Sequence, residues 1–400
     1  MSHHVLMFGW EYPPRHAGGL GVACQGIVHG LRHHNMRVTL ALPFAHPTEH
    51  DVCCPTTASE TIHIQTPLQP YDSERSYGYR WNMSTESDRE LYGWNLTEEV
   101  ERFTAESATM TAHVQPDIIH CHDWMTFGAG YSVAKQKDIP WVAHIHATEL
   151  DRTHFQPNEL IFALEKQGLE RATHVIAVSE YTKGILVKWY GISEERITVI
   201  HNGLTDFSSS PSQKQQTRPP LVLFFGRMAV QKNPQQFLNI ARHIHDLDNT
   251  VQFLMAGSGA LLPEIMEQAC AQGLAHCMTF AGQVQSEEVS DLYRLADCFV
   301  MPSVSEPFGL VALEAIDHGV PVVVSKQSGV AEVLNHAFKV DYWDTDKMAD
   351  CILTILRESA LQEQMRTESH RSLRGLTWKN QAKKIRDIYH KLCSFFSRHG

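Results

Sequence analysis

Two glutamates in the second half of the chain are spaced so that their carboxylates can lie near one face of a helix. Glu306 follows an apolar strand-like run, and Glu314 lies eight positions later. The proline after Glu306 suits the first position of a helix, which places Glu306 at the helix cap. The N–H groups of Phe308, Gly309 and Leu310 are then unpaired and face a cleft. Glu314 lies about two turns further on, so one carboxylate can bind sugar hydroxyls and the other a ribose diol.

Two cations lie close together in the loop after a predicted strand at residues 221–225. Arg227 and Lys232 are five residues apart, between Gly226 and Pro234. Arginine supplies a planar fork for two phosphate oxygens, and lysine supplies a mobile point charge. The pair predicts an anion site, with a solvated charged loop as the alternative.

A glycine-rich loop follows the first predicted strand. Gly18, Gly19 and Gly21, with Leu20 between them, open a predicted helix. Bare N–H groups at a helix N-terminus attract anions, and glycine lets a phosphate approach closely. The dinucleotide-binding fingerprint does not fit, because Cys24 stands where its third glycine would be. A simple tight turn is the alternative.

Histidines and cysteines are numerous enough to raise the question of a metal site. The chain has 25 histidines, with His120 and His122 in a dense cluster, and nine cysteines without a CxxC pair. His120 and His122 point to the same face if they lie on a strand. We expect ordinary histidines or substrate contacts rather than metal ligands, reduced thiols, and no metal or other cofactor.

Chain length, net charge and the length of apolar runs limit the class of protein. A chain of 400 residues is expected to form two domains of about 150 to 200 residues each. The formal net charge of -11 argues against a general nucleic-acid or membrane-surface binder. No apolar run approaches the roughly 18 residues that a membrane-spanning helix needs, and no signal peptide is recognisable. We therefore expect a cytoplasmic protein without stable membrane insertion.

Short apolar runs alternate with helical patterns, which predicts an α/β fold with parallel strands in two Rossmann-like doubly wound domains facing a central cleft. The predicted strands are Val5–Trp10, Val38–Pro43, Asp117–His120, Trp141–His146, Thr173–Val178, Ile197–His201, Leu221–Phe225, Val251–Ala256, Met278–Ala281, Cys298–Pro302 and Val320–Ser325.

The domain boundaries follow from a shift in composition. Residues 208–220 are polar, proline-bearing and aperiodic, which predicts a linker between an N-terminal domain at 1–207 and a C-terminal domain at 221–376. A final helix is predicted within residues 377–400. Residues 60–100 are less regular, and we interpret them as an excursion from the core, such as a hairpin or a lid.

In combination these motifs resemble those of the retaining GT-B glycosyltransferases. Glu306 and Glu314 match the E-x7-E pattern of that family, and Gly226, Arg227 and Lys232 are similar to its G-R-x4-K phosphate clamp. Within the family the chain is most similar to glycogen (starch) synthases and their bacterial relatives. The segments that add to this resemblance are Glu11-Tyr12-Pro13-Pro14, His122-Asp123-Trp124, His144-Ile145-His146-Ala147-Thr148-Glu149 and Ile200-His201-Asn202-Gly203.

The resemblance implies a role for each matching residue. Arg227 and Lys232 would stabilise the departing diphosphate, and Glu306 would hold sugar hydroxyls together with the amides of Phe308, Gly309 and Leu310. His146 would lie at the reacting carbon and Asp123 on the sugar or acceptor side. Further donor-binding residues would be Gly18, Gly19, Leu20, Gly257, Gln283, Val284 and Glu314. His16 stands where glycogen synthases often have a phosphate-binding lysine.

The function implied by the resemblance is glucosyl transfer. The donor would be ADP- or UDP-glucose, the acceptor an α-glucan or another carbohydrate, and the displacement would occur on one face without a metal. One alternative is a transferase of cell-surface polysaccharide or glycolipid synthesis. Another is a non-catalytic module that binds nucleotide sugars.

Overall fold

The computed structural model describes residues 3–13, 18–44, 58–68, 74–83, 94–205, 218–285 and 287–399. Within these ranges the chain forms two parallel β-sheets, each covered by helices. The predicted α/β class with two Rossmann-like domains is confirmed. His16 and residues 208–217 of the predicted linker lie outside the described ranges.

The first sheet has seven strands in the order β3-β2-β1-β4-β5-β6-β7. Every pairing in it is parallel. Its strands are β1 (His4–Phe8), β2 (Arg37–Phe44), β3 (Glu60–Gln65), β4 (Ile118–His122), β5 (Trp141–Ile145), β6 (His174–Ala177) and β7 (Ile197–Val199).

The second sheet has six strands in the order β10-β9-β8-β11-β12-β13, again with parallel pairings. Its strands are β8 (Leu221–Phe225), β9 (Gln252–Ala256), β10 (Met278–Gly282), β11 (Cys298–Met301), β12 (Val322–Ser325) and β13 (Phe338–Val340).

Helices connect the parallel strands, as crossover connections require. They are α1 (Gly19–His33), α2 (Glu74–Met83), α3 (Leu96–Met110), α4 (Trp124–Lys137), α5 (Glu149–Arg152), α6 (Glu159–Arg171), α7 (Glu180–Ile185), α8 (Pro234–Leu247), α9 (Leu262–Ala271), α10 (Val289–Leu295), α11 (Leu310–Asp317), α12 (Thr345–Arg357), α13 (Ser359–Leu373) and α14 (Trp378–His399). Short turns of other helical types are Leu186–Tyr190, Glu194–Arg196, Val230–Lys232 and Gly329–Glu332.

The central strands are buried along their whole length because both faces of each sheet are covered. All residues of β4, β5, β11 and β12 are buried. Such burial is typical of parallel sheets between helices. The polar exceptions in β4 and β5 are His120, His122 and His144, which lie toward the carboxyl ends of their strands.

The last helix returns to the first domain. α14 packs against α1, and the ring of Trp378 lies so close to Gly26 that a Cβ there would come within 2.3 Å of it. The chain just before α14 also pairs with the first domain, since Leu204 and Thr377 form an isolated bridge. The two domains are therefore joined at a second place along the chain.

Two expectations from the sequence were wrong. Residues 60–100 are not simply an excursion, because Glu60–Gln65 pairs in parallel with β2 and forms the edge of the first sheet. The helix after β11 begins at Leu310 rather than at Pro307, with Gly309 as its cap. None of the described helices is long and apolar enough to cross a membrane.

Candidate active site

A cavity of about 300 Å³ lies where loops of the two sheets meet. Most of its lining follows the carboxyl ends of strands β1, β4, β5 and β8, where ligands of doubly wound folds bind. The lining residues are Trp10, Glu11, Leu20, Asp123, Trp124, Met125, Glu149, Arg152, Thr153, Asn158, Ile161, Arg227, Ala229 and Gln231. Leu20, Asp123 and Arg227 were among the residues expected from the sequence.

The loop that carries Arg227 is held by a close approach of two backbone segments. Gly226 donates its N–H to Ala256, and Met228 donates to Ser258. Gly257 has φ 123°, and a Cβ there would lie 1.9 Å from the carbonyl oxygen of Gly226. Only glycine tolerates both conditions. Gly257, which the resemblance placed in the base pocket, therefore positions the loop that carries Arg227.

Lys232 forms an ion pair with Glu306. Ser303 donates a hydrogen bond of 3.3 Å to the same carboxylate oxygen. The two loops are joined further by the N–H of Val304, which donates to Gln231. The side chains of Lys232 and Glu306 remain 17% and 8% exposed. The pair places a cation and a carboxylate together, although the cavity is lined by Arg227, Ala229 and Gln231 of the same loop rather than by Lys232 or Glu306.

Glu306 does not cap α11. Its N–H donates to Gln327, and its side chain turns to Lys232. Gly309 takes the cap position with φ 109°. Within the part of the chain that the structure describes, the N–H groups of Phe308, Gly309 and Leu310 donate to no backbone or side-chain acceptor. The expected free amides are present, and the glycine conformation rather than a glutamate cap creates them.

Glu314 lies on α11 with a different partner from Glu306. The hydroxyl of Tyr293 donates to its carboxylate at 3.0 Å and also to the carbonyl of Val311. Burial raises the pKa of Glu314, and the bond from Tyr293 offsets that only in part. Glu314 does not line the cavity, and neither do Gln283 and Val284, which follow the end of β10.

Asp123 closes β4 in a strained conformation on the opposite side of the cavity. Its φ is 58°, which a residue other than glycine rarely adopts. One carboxylate oxygen accepts the backbone N–H of His146 at 2.7 Å and that of Ala147 at 3.4 Å. Burial raises its pKa to about 7, although nearby Arg152 and the N–H of His146 lower it. Asp123 therefore fixes the backbone that carries His146.

His146 belongs to a buried row of four histidines at the ends of β4 and β5. The other three are His120, His122 and His144, and each is at most 1% exposed. The Nε2 atom of His146 lies 2.8 Å from the Nδ1 atom of His122. Burial lowers the pKa of His122 to about 3 and lowers the pKa values of the other three well below the ordinary value. All four rings are neutral near neutral pH.

The glycine loop opens α1 as expected and faces the second domain. Helix α1 begins at Gly19, with Gly18 as its cap. A Cβ on Gly19 would lie 3.5 Å from the side chain of Leu310. The start of α1 therefore lies opposite the start of α11, where Phe308, Gly309 and Leu310 have unused N–H groups.

Direct hydrogen bonds join the two faces of the cleft. Ser179 donates to the carbonyl of Pro307 at 2.6 Å. Ser305 donates to Asp151 and bonds the hydroxyl of Tyr181 at 2.9 Å. The structure therefore shows the domains in contact around the cavity.

Glu332 of the second domain makes a further contact. Its carboxylate accepts the N–H groups of Glu180 and Tyr181 at the start of α7, and His201 lies 3.0 Å from it. Burial alone would raise its pKa, but these hydrogen bonds outweigh burial and lower it.

Comparisons with known proteins agree with this architecture. Residues 17–206 match the family Glycosyltransferase Family 4, and residues 207–371 match the family Glycosyl transferases group 1. The two matches abut between the sheets and together cover most of the chain.

The chain is a glycosyltransferase of the GT-B type.

Two of its relatives are distant in sequence but similar over nearly their full length. This glycosyltransferase is 28% identical to an uncharacterized glycosyltransferase of Methanocaldococcus jannaschii, over 96% of this chain and 97% of the relative. It is 26% identical to glycogen synthase of Mycobacterium tuberculosis, over 96% and 94%. A solved structure of Anabaena HepE in complex with UDP and glucose covers 98% of the chain and 100% of its own length, with a TM-score of 0.75 and 18% identity.

Sequence reasoning missed one part of this glycosyltransferase, a buried network around Arg152. Its guanidinium bonds Glu149 at 3.2 Å, Glu165 at 3.0 Å and the carbonyl of Ala147 at 2.6 Å. Tyr190 adds a hydrogen bond to Glu165. Burial raises the pKa of Glu165 even though Arg152 lowers it. The available signal was three charged residues in a short amphipathic stretch, which resembles any solvated helix.

Proposed function

We propose that this glycosyltransferase transfers glucose from ADP- or UDP-glucose to an α-glucan, with retention of configuration. The observation that carries the proposal is the Lys232–Glu306 ion pair beside the unused N–H groups that open α11. That arrangement offers a cation, a carboxylate and free backbone donors at one place. A sugar diphosphate needs all three kinds of group.

The cations would stabilise the leaving group. Negative charge develops on the diphosphate as the bond to the sugar breaks, so fixed positive charge there lowers the barrier. Lys232 would exchange part of its contact with Glu306 for a phosphate oxygen, and Arg227 would approach from the same loop. Glu306 would then be free to accept a hydrogen bond from a sugar hydroxyl.

The first domain would supply the acceptor side. His146 is neutral, and its backbone is fixed by Asp123, so it can serve as a hydrogen-bond partner for the sugar without carrying charge. In a same-face displacement the leaving phosphate helps to take the proton of the acceptor hydroxyl. In this reaction no side chain would act as the nucleophile, and no step would use a metal.

The relatives support the choice of donor and acceptor. The M. tuberculosis relative is a glycogen synthase, and the Anabaena structure contains UDP and glucose.

A donor and acceptor screen tests the proposal. Purified protein would be incubated with ADP-glucose and with UDP-glucose, each with glycogen, with a lipid-linked acceptor, or with no acceptor. We expect transfer to glycogen from one glucose donor, and an α-linked product by proton NMR from the α-linked donor. A β-linked product would contradict retention, and transfer to the lipid-linked acceptor alone would favour cell-surface polysaccharide or glycolipid synthesis.

A pair of variants tests the site itself. Glu306→Ala should abolish transfer, whereas Glu363→Ala should not, because Glu363 is 60% exposed and contacts Arg366 and Thr367 of its own helix. If wild-type protein binds UDP tightly but turns over no donor, the protein is a binding module and the proposal is wrong.

A further inference from the structure

The four buried histidines form a compact array, which we call the histidine array: His120, His122, His144 and His146. Neighbours along each strand stack, with ring centroids 4.5 Å apart for His120 and His122 and 4.3 Å apart for His144 and His146. Across the strands the centroids are 5.2 and 5.1 Å apart. Side chains two positions apart share a face of a strand, so two adjacent strands bring all four rings together.

The hydrogen bonds of the array leave several nitrogens unused. His120 bonds Tyr389 of α14 through Nδ1, and its Nε2 lies 3.1 Å from Nδ1 of His144. His122 and His146 form the second pair. Within the described residues, Nε2 of His122, Nε2 of His144 and Nδ1 of His146 are buried without a partner.

Neutral imidazoles cannot satisfy this arrangement by themselves. Each ring has one N–H and one lone pair. Whichever member of the His122–His146 pair donates, one outer nitrogen is left as an N–H without an acceptor and the other as a lone pair without a donor. Buried polar groups without partners are rare in proteins, so each one calls for an explanation.

Three of the histidines each place one ring nitrogen close enough to the others to bind the same metal ion. These nitrogens of His120, His122 and His144 are all within 4.8 Å of one another. The 3.1 Å between His120 and His144 is close to the separation of about 3.3 Å between two nitrogens that bind zinc tetrahedrally at about 2.0 Å. A metal ion would take up the lone pair on Nε2 of His122, which has no donor when Nδ1 of that ring donates to His146, and would replace the contact between His120 and His144.

The outer contacts of the rings have the form expected around a metal. Histidines that bind metals usually donate their other N–H to a further group, which fixes the ring and its tautomer. Nδ1 of His120 faces the Tyr389 hydroxyl, and Nδ1 of His122 faces Nε2 of His146. Both contacts leave Nε2 as the ligand atom of its ring.

We propose that His120, His122 and His144 form a buried three-nitrogen site for a divalent transition-metal ion of the zinc class, with Tyr389 and His146 as the partners of the ligand rings. The site is separate from the donor-binding groups of the second domain and depends on no step of the proposed transfer. It departs from the expectation, drawn from the sequence, that these histidines are ordinary.

A bound ion would connect the last helix with the cleft. Tyr389 lies on α14, and His146 lies beside Asp123, which lines the cavity. With the metal bound, His122 donates to His146, so Nδ1 of His146 carries that ring's proton. The site would therefore set the tautomer of the histidine nearest the cleft.

A second cluster serves as an internal control. His245, His276 and Cys277 also bring ligand atoms within 4.8 Å of one another, but His276 is exposed and His245 is only partly buried. The thiol of Cys277 donates to Leu274. A variant that lacks one ligand of this second cluster shows whether a bound metal ion lies there or in the histidine array.

The test is metal binding by tag-free, full-length protein. Chelator-treated protein would be titrated with Co²⁺, with visible absorption as the signal, and then with Zn²⁺ as competitor, and protein as purified would be analysed for bound metals by mass spectrometry. We expect one equivalent of tightly bound Co²⁺ that Zn²⁺ displaces. His276→Gln should not alter this binding.

Two variants test whether the metal ion binds to the histidine array. Tyr389→Phe should weaken Co²⁺ binding by about 10-fold or more, since it removes an outer partner. His144→Gln should weaken it further, and circular dichroism would establish that the variant is folded. If His144→Gln does not fold, Tyr389→Phe and His276→Gln still decide the assignment.

The proposal is overturned if wild-type protein binds no Co²⁺ tightly and contains no metal as purified. It is equally overturned if His276→Gln abolishes the binding, or if folded His144→Gln or Tyr389→Phe binds Co²⁺ as well as wild type does. Each of these results is a measurement of metal binding alone, and glucosyl transfer is measured separately with donor and acceptor, so failure of one proposal is distinguishable from failure of the other.

Discussion

The two faces of the cleft hold their charged groups in different ways. On the second domain, Lys232 and Glu306 form one ion pair between two loops, with side chains 17% and 8% exposed. On the first domain, Arg152 is equally exposed, at 17%, but it pairs with two carboxylates, of which Glu165 is fully buried. Burial also displaces the pKa of Asp123 and of the four histidines. The first arrangement lets a ligand replace a protein partner. The second fixes positions, because a buried charge without its partner is costly.

The largest change in stability is expected from the Arg152 network of the first domain. Arg152→Met leaves Glu149 and Glu165 without their cation, so we expect a loss of roughly 3–5 kcal/mol in the free energy of unfolding. Urea denaturation measures it. Arg371→Met is the matched control: Arg371 also pairs three residues along a helix, with Glu368, but is 64% exposed. Its loss should stay below about 0.5 kcal/mol.

The contrast between the two faces of the cleft requires that Arg152→Met lower the free energy of unfolding. Should Arg152→Met keep wild-type stability and lose activity alone, the buried network would be part of the binding surface, and the contrast between the two faces would be wrong.

On the second domain, Lys232→Ala should act on catalysis more than on folding. Removing a cation from the leaving group should lower kcat/KM by about 100- to 1,000-fold, as removal of one preorganised donor does in other enzymes. The loss in the free energy of unfolding should be smaller than that of Arg152→Met, because Lys232 pairs with one carboxylate and Arg152 with two. Lys183→Ala, which removes an ion pair with the 72% exposed Glu194, is the control and should keep activity.

Gly257→Ala tests whether backbone packing holds the Arg227 loop. A Cβ at 1.9 Å from the Gly226 oxygen, at φ 123°, should destabilise the fold by about 2 kcal/mol or more. Donor affinity, measured by calorimetry with UDP and ADP, should fall as well. Gly184→Ala in α7 meets nothing within 4 Å and should be neutral or stabilise by up to about 1 kcal/mol. Equal effects of the two changes would refute the packing argument.

The smallest effect concerns Glu332, which joins the faces. Its pKa in the folded state lies below the ordinary 4.5, so its contribution is complete above the unfolded pKa and is lost as pH falls through the folded value. Glu332→Gln should cost about 1 kcal/mol near neutral pH. The difference from wild type should shrink as the pH falls below 4.5, and urea denaturation at several pH values measures it. A difference that is constant with pH would show that the carboxylate charge is not responsible.

The sheets illustrate how far the sequence predicts this fold. Leu221–Phe225 forms a strand with the predicted bounds, and most other predicted strands differ by a few residues at their ends. Long apolar runs between helices leave few alternatives. Glu60–Gln65 was missed because it is a half-buried edge strand: its two buried residues, Ile62 and Ile64, alternate with polar ones and form no continuous apolar run.

The helix after β11 shows where local rules gave the wrong detail. Proline at the first helical position is common, yet here the chain runs on through Gly309 before α11 begins. Gly329 and Val330 pair instead with the carbonyls of Glu306 and Phe308. Contacts with a segment about 20 residues away therefore outweighed the local preference.

The sequence by itself determined the α/β class and the second-domain motifs, because strand periodicity and short loop patterns depend on neighbours along the chain. Only the tertiary structure decided the Lys232–Glu306 pairing, the partners of Arg152 and the assembly of His120, His122, His144 and Tyr389. These groups meet because parallel strands end at one edge and α14 returns to the first domain. Burial then sets their charge, and burial depends on packing that no local pattern contains.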